Sequence, residues 1–444
     1  MTATLIETQA KTSWLFNSRR LRVLFCAILL SLLWFFLDDY SREEDSATYR
    51  ASIAAIPQAR TLSQHKIVDS NSCQDPYSKF GRLQVDLQTK QENVWIPYDK
   101  DCQPPRLMAS LLNNLDLDNH WSPASSPSTH SQDFEDISFV KNKTVLVVGD
   151  SIARETVRYF CELLGEDVVN LNDDHPWSPF KEYTSGERTR RRAPRESSLP
   201  NVCYIPSIDF MIIQMFHFGL DQEEFFKDKE QYNPPNNFED RLKVHGRDVF
   251  DYIHNDKNPP EMFEGAVPRK TPKPDLVEVS STLWDLARFA KIDINKNTST
   301  LTDLEEDRLD FYMNRMTDVL DTTLEEFPDS QLVWRTSHYP SDCNNNKLDW
   351  IGRDLARLEQ EREHQNKPYF HSNRLFQLEQ ATRHVLSQPD YQDQVRINEW
   401  GHLMFGQHAH QIDQLHPSML PGGWLWGDTM LYELRRAVEL ASYY

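Results

Sequence analysis

The hydrophobic pattern changes period along this chain, and each change marks an element. Val145 to Val148 is an unbroken apolar run rich in β-branched residues. Such a run suits a strand covered on both faces, as in a parallel sheet. Beyond Ser151 the apolar positions are Ala153, Val157, Phe160, Cys161 and Leu164, which is the spacing of one helix face. Gly149 supplies the tight turn between the two. Further strand-like runs read FMIIQMF (210–216), DLVEVSS (275–281), QLVWRTS (331–337) and QVRINEW (394–400). A helix is predicted over 303–327, with Leu304, Tyr312, Met316, Val319, Leu320 and Leu324 along one side. Residues 348–363 and 373–386 read as helices too, and Asp428 as the cap of a last helix reaching Leu440. Strands alternating with helices predict an α/β fold, a three-layer, doubly wound parallel sheet. Two insertions interrupt it: a basic loop, GERTRRRAPRES (186–197), and a polar, proline-rich stretch over 228–274. The basic loop reads as a solvated surface or as one that steers an anionic donor or glycan.

The N-terminal pattern is different. No charge occurs from Val23 to Leu37; Lys11, Arg19, Arg20 and Arg22 precede the run, and Asp38 and Asp39 follow it. A helix of that length reaches roughly 22 Å against a hydrocarbon core of about 30 Å. Leu21 and a snorkelling Arg22 extend it. The charge asymmetry predicts an uncleaved signal anchor with its N-terminus in the cytosol. A cleaved signal peptide fits less well, because two aspartates stand where cleavage would fall. The expected organisation is a cytosolic tail (1–20), a transmembrane anchor (21–37), a stem (38–70), a cysteine-containing lobe and linker (71–135) and a catalytic domain (136–444). A short span suits a thin early secretory membrane, so a single-pass type II protein of the ER or Golgi lumen is expected.

Composition narrows the function. The 444 residues carry a net charge of −20, which argues against general nucleic-acid binding. Of six cysteines, Cys26 falls in the apolar span, and Cys73, Cys102, Cys161, Cys203 and Cys343 remain. An odd remainder leaves one free thiol or an intermolecular bridge. Proximity along the chain suggests the pairs Cys73–Cys102 and Cys161–Cys203. Asn142 and Asn297 begin glycosylation triplets.

The candidate chemistry lies in two places. Ser151 follows Gly149 and Asp150 at the carboxyl end of a strand and the amino end of a helix. Ligands bind there in open α/β sheets, and the helix N-terminus favours developing negative charge. The competing role for Ser151 is a simple helix cap. Near the C-terminus, Asp413 and His416 stand three apart, close enough for the carboxylate to orient the imidazole. A surface pair is the plain alternative. Zinc is another, because His402, His408, His410, Asp413 and His416 crowd one segment, but no HExxH or cysteine pair supports it.

Together the GDS block and the DxxH block resemble the SGNH (GDSL-like) hydrolase superfamily. The closer likeness is to its PC-esterase branch, which holds the trichome-birefringence-like plant polysaccharide acetyltransferases and related fungal proteins. Arg154 and Cys161 follow Ser151 as in that branch, PDLVEVSSTLWDL resembles its third block, LVWRTSHYPSDC its later strand, and DQLHPSMLPGG its C-terminal block. The resemblance implies Ser151, His416 and Asp413 as the catalytic triad, with the Ser151 N–H, Gly219 and Thr282 as oxyanion donors. Two departures stand out. The third-block loop, Ser280 to Asp285, lacks the asparagine of the superfamily, and Pro417 stands where the plant proteins have tryptophan. Trp424 and Trp426 are then candidates for stacking on a sugar.

The implied function is transfer of an acyl group, acetyl above all, to a polysaccharide hydroxyl, or hydrolysis of such an ester. It needs no bound cofactor and no metal. An acyl donor such as acetyl-CoA or an acetylated carrier is the co-substrate. The alternatives are a catalytically inactive glycan-binding protein, which the missing asparagine favours, and a zinc-dependent hydrolase.

Overall fold

Strand order rather than strand number decides where this molecule can bind a ligand. The computed structural model describes residues 73–115, 135–179, 198–255, 273–340 and 369–441, apart from isolated positions within them, together with Phe263. The anchor, the stem, the linker, the basic loop, Cys343 and the helix expected over 348–363 lie outside the described residues. Among the described residues no helix is long and apolar enough to cross a membrane.

In chain order the elements are β1 (Gly81–Gln84), β2 (Val94–Pro97), α1 (Leu107–Asn114), β3 (Thr144–Gly149), α2 (Ser151–Leu163), β4 (Val169–Asn170), β5 (Asn201–Ile205), β6 (Phe210–Phe216), α3 (Phe238–Arg241), α4 (Asp248–Asn255), β7 (Leu276–Val279), α5 (Leu283–Asn295), α6 (Glu306–Glu326), β8 (Gln331–Arg335), α7 (Ser372–Leu386), β9 (Val395–Asn398), α8 (Trp400–Leu403) and α9 (Trp424–Ala441). Seven strands form one sheet in the order β4-β5-β6-β3-β7-β8-β9. Strands β6, β3, β7, β8 and β9 are mutually parallel. Taken in chain order they run 2-1-3-4-5, the flavodoxin-like winding. The sheet is not wholly parallel as expected: β5 runs antiparallel to both β4 and β6. The short turn from Ile205 to Phe210 returns the chain beside itself, and a connection that short cannot make a parallel crossover.

Helices cover both faces. On β6, Phe210 meets Phe160 of α2 edge-on, with ring centroids 6.0 Å apart. Met215, of opposite parity, faces Gly246 in the helical turn between α3 and α4, as does Leu146 of β3. Side chains alternate across a strand, so these helices lie on opposite faces and the architecture is three-layered. Every residue of β3, β6 and β7 is buried, which accounts for their uninterrupted apolar runs.

The described residues form one compact unit. The β1–β2 hairpin and α1 belong to it, and α1 packs on α9. Cys73 bonds to Cys102 (Cα–Cα 4.9 Å) and Cys161 to Cys203 (Cα–Cα 5.7 Å), the second tying α2 to β5. The last helix begins at Trp424, so Asp428 is interior to it rather than its cap. Its carboxylate accepts the backbone N–H of Met108 at 2.7 Å and so caps α1 from outside. Beneath the sheet's carboxyl edge, Glu278 pairs with Arg335 at 2.9 Å, both fully buried. Glu278 also accepts from Asn398 and from the indole of Trp426, each at 2.9 Å, so its carboxylate is satisfied on both oxygens.

Candidate active site

The turn after β3 builds the site. Asp150, not Ser151, is the N-cap of α2, and its carboxylate accepts the Ile152 N–H at 2.9 Å. Ser151 is therefore the first helical residue, with its hydroxyl left for other work. Gly149 is required by packing: a Cβ there would fall 2.5 Å from the Ala153 Cβ and 2.6 Å from the Ser280 Oγ. The Arg154 guanidinium reaches Glu155 at 3.1 Å and lies 5.9 Å from the Phe216 ring centroid.

The C-terminal block forms a tight turn. The Asp413 carboxylate accepts the backbone N–H of His416 at 2.8 Å and of Leu415 at 3.2 Å. Its other oxygen lies 2.8 Å from the His416 Nδ1, and the His416 Nε2 lies 2.8 Å from the Ser151 Oγ. A carboxylate only accepts, so Nδ1 carries the proton and Nε2 keeps a lone pair facing the serine hydroxyl. Partial burial pushes the Asp413 carboxyl up, but the hydrogen bonds and charge of His416 outweigh it and hold the group well below the usual carboxylate range. The Asp413 side chain is 51% exposed, whereas that of His416 is 16% exposed. The three residues thus form a chain of hydrogen bonds that can remove the Ser151 proton.

The loops after β6 and β7 flank Ser151 across the strand order. His217 spans them. Its Nε2 donates to the Ser280 carbonyl at 2.8 Å, and its Nδ1 accepts the Gly219 N–H at 3.2 Å. Complete burial holds this imidazole neutral, lowering its pKa. Gly219 takes φ +88° beside Asp285, where a side chain would be strained. Asp285 accepts the Leu220 N–H at 2.9 Å and the Ser281 hydroxyl, and burial pushes its carboxyl up to about 6. These contacts correct two expectations. The Gly219 N–H is engaged by His217, and the Thr282 hydroxyl donates to the carbonyl of Ser281. Both donors are therefore already engaged within their own loops. The Ser151 N–H, at the start of α2, has no intrahelical acceptor.

Trp424 and Trp426 also differ from expectation. Both are fully buried, and the indole of Trp426 is spent on Glu278, so neither can stack on a sugar. Asn142 and Asn297 sit on exposed turns with positive φ. In the histidine-rich segment the His402 Nδ1 is 3.1 Å from Glu379, whereas the His416 Nδ1 is 2.8 Å from Asp413. Among the described residues no group of three or more histidine, cysteine or carboxylate side chains is gathered as a metal site.

Two solved structures are similar to this chain. A carbohydrate esterase of family 3 from Talaromyces cellulolyticus aligns at TM-score 0.27 and 10% identity, over 67% of this chain and 98% of its own. A GDSL-like lipase from Parabacteroides merdae aligns at TM-score 0.29 and 10% identity, over 68% and 97%. Likeness at those scores decides nothing about chemistry here, which rests on this chain's own side chains. No protein-family model matches the chain, and no curated protein does.

Residues that the hydrophobic pattern does not flag complete the surroundings: His217, Asp285 and His338. His217 and His338 stand in loops just beyond a strand end and Asp285 in the first turn of α5, and those positions were the available signal.

Proposed function

We propose that this chain is a membrane-anchored, lumenal O-acyltransferase, an O-acetyltransferase in particular, acting on a glycan hydroxyl, or an acyl esterase of the same substrate class. The observation that carries the reading is the unbroken chain of 2.8 Å contacts from Ser151 through His416 to Asp413. Its place at a helix N-terminus, at the carboxyl ends of parallel strands, supports it. The Ser151 oxygen attacks the acyl carbonyl as its proton passes to the His416 Nε2. The tetrahedral oxyanion meets the Ser151 N–H. As it collapses, the leaving group departs with the proton from Nε2, and acyl-Ser151 remains. A sugar hydroxyl, or water, then gives its proton to Nε2 and attacks the ester. Collapse returns the proton to Ser151 and releases the acylated glycan or the free acid. Acetyl-CoA or an acetylated carrier would supply the acyl group.

A glycan-binding protein without activity is the second reading, and the engaged Gly219 N–H and Thr282 hydroxyl favour it. One assay separates the readings. The full chain is given an acetyl ester with and without glycan acceptor. Acetate release marks an esterase, acetyl on the glycan a transferase, and neither the silent binder. Ser151→Ala should lower turnover by at least about 10³-fold. Normal turnover in that variant sinks the serine mechanism.

A further inference from the structure

The turn that bears the base is gripped from below by the loop leaving β8. His338 is 1% exposed, and its Nε2 lies 2.6 Å from the carbonyl oxygen of Leu415, the residue immediately before His416. A carbonyl only accepts, so this nitrogen carries the proton. The Nδ1 then holds a lone pair, and it is buried with no hydrogen-bond partner among the described residues. A buried ring with one orphaned nitrogen is a costly way to fill space, and an apolar side chain would fill it without that cost. The bond to Leu415 is the one polar contact the ring makes with the described residues of the turn.

Neighbours of His338 hold the same segment. Its ring meets Trp400 edge-on at 5.7 Å, and the indole of Trp400 donates to the Gly422 carbonyl at 3.0 Å. The carbonyl of Tyr339, the next residue, accepts from the Gln411 side chain at 2.8 Å. Within the segment, the Ile412 N–H donates to the His416 carbonyl at 2.8 Å. The segment is therefore tied at 411, 415 and 422, and the tie at 415 is the nearest to the base.

We infer that His338 is a positioning residue, whose Nε2–H fixes the Leu415 carbonyl and so keeps the His416 imidazole in register with Ser151. The inference rests on the serine reading above for its kinetic consequence, but its structural part stands alone. Burial drives the His338 pKa down to about 3, with Arg335 and His416 adding to that direction. A neutral ring beside the turn adds no positive charge of its own next to the imidazolium that forms on His416.

Two conservative variants test it. His338→Gln carries an amide N–H near the place of Nε2 and can still reach Leu415; His338→Asn is too short. Misplacing a catalytic group by about 1 Å costs about 10²-fold. His338→Asn should therefore lose about 10²-fold in kcat with KM within about 2-fold of wild type, and His338→Gln should stay within about 3-fold of wild type. Backbone hydrogen exchange over residues 411–418 should quicken in His338→Asn and not in His338→Gln. Exchange unchanged in His338→Asn, or equal losses in both variants, overturns the inference. If wild type proves inactive, the serine reading fails alone, because the exchange measurement still decides the role of His338.

Discussion

At the scale of single residues, Asp150 takes the cap of α2, and that leaves the serine hydroxyl for His416. Ser151 is therefore not the cap of that helix. Asp413 does two jobs with two oxygens, closing the turn with one and orienting the imidazole with the other. Asp413→Asn should keep the turn, since an amide oxygen still accepts both backbone N–H groups. Its NH2 would face the His416 Nδ1 and favour the tautomer that cannot take the serine proton. We expect kcat/KM to fall by about 10²–10³-fold, less than for Ser151→Ala, because a half-exposed carboxylate is partly screened. Activity within about 3-fold of wild type would make Asp413 a bystander. A carboxyl whose folded pKa is depressed contributes above its unfolded pKa, and that contribution is lost only as pH falls through the depressed value. Loss of activity in mild acid should therefore not report protonation of Asp413.

At the scale of elements, α1 and α9 meet through a buried charge. Asp428 in the second turn of α9 caps α1 through Met108, with Leu107 and the Arg106 charge adding to the effect. Burial outweighs these contacts and pushes its carboxyl up to about 7. An acid with a raised folded pKa adds stability that is complete below its unfolded pKa, near about 3.9, and lost as pH rises through 7. For this group, then, stability should decline from pH 5 to pH 8, by at most about 4 kcal/mol. Asp428→Asn keeps an acceptor for Met108 and removes the titration. Denaturant unfolding at several pH values should show a flatter profile for the variant. An unchanged pH slope would show that Asp428 does not titrate in this range.

At the scale of the whole molecule, strand order creates the site. The first parallel strand, β3, lies between β6 and β7, and the chain reverses its winding there. The loops after β3 and β7 consequently open a crevice at the sheet's carboxyl edge, where Asp150, Ile152, Ser280, Ser281, Thr282 and His338 line a small cleft. The proposed anchor over 21–37 would place that crevice in the lumen, an orientation motivated by the flanking charges. Protease added outside sealed microsomes should leave the C-terminal domain intact; its digestion would reverse the topology.

Local sequence determined the strand, turn and helix from Thr144 to Leu163 and the reactive residue types in each of the two blocks. The FMIIQMF run was legible to the residue, because a fully buried strand shows in the pattern wherever it sits. Strand β5 was not among the expected strands, and its direction was not legible either, since the apolar pattern of a short strand is the same in either direction. Nor was the burial of Trp424 and Trp426, because an indole suits a core or a sugar equally well until its neighbours are known. The tertiary structure alone brought Ser151 and His416 together across 265 residues. Hydrogen bonds act over about 3 Å, and only the winding of the chain decides which distant groups come that close.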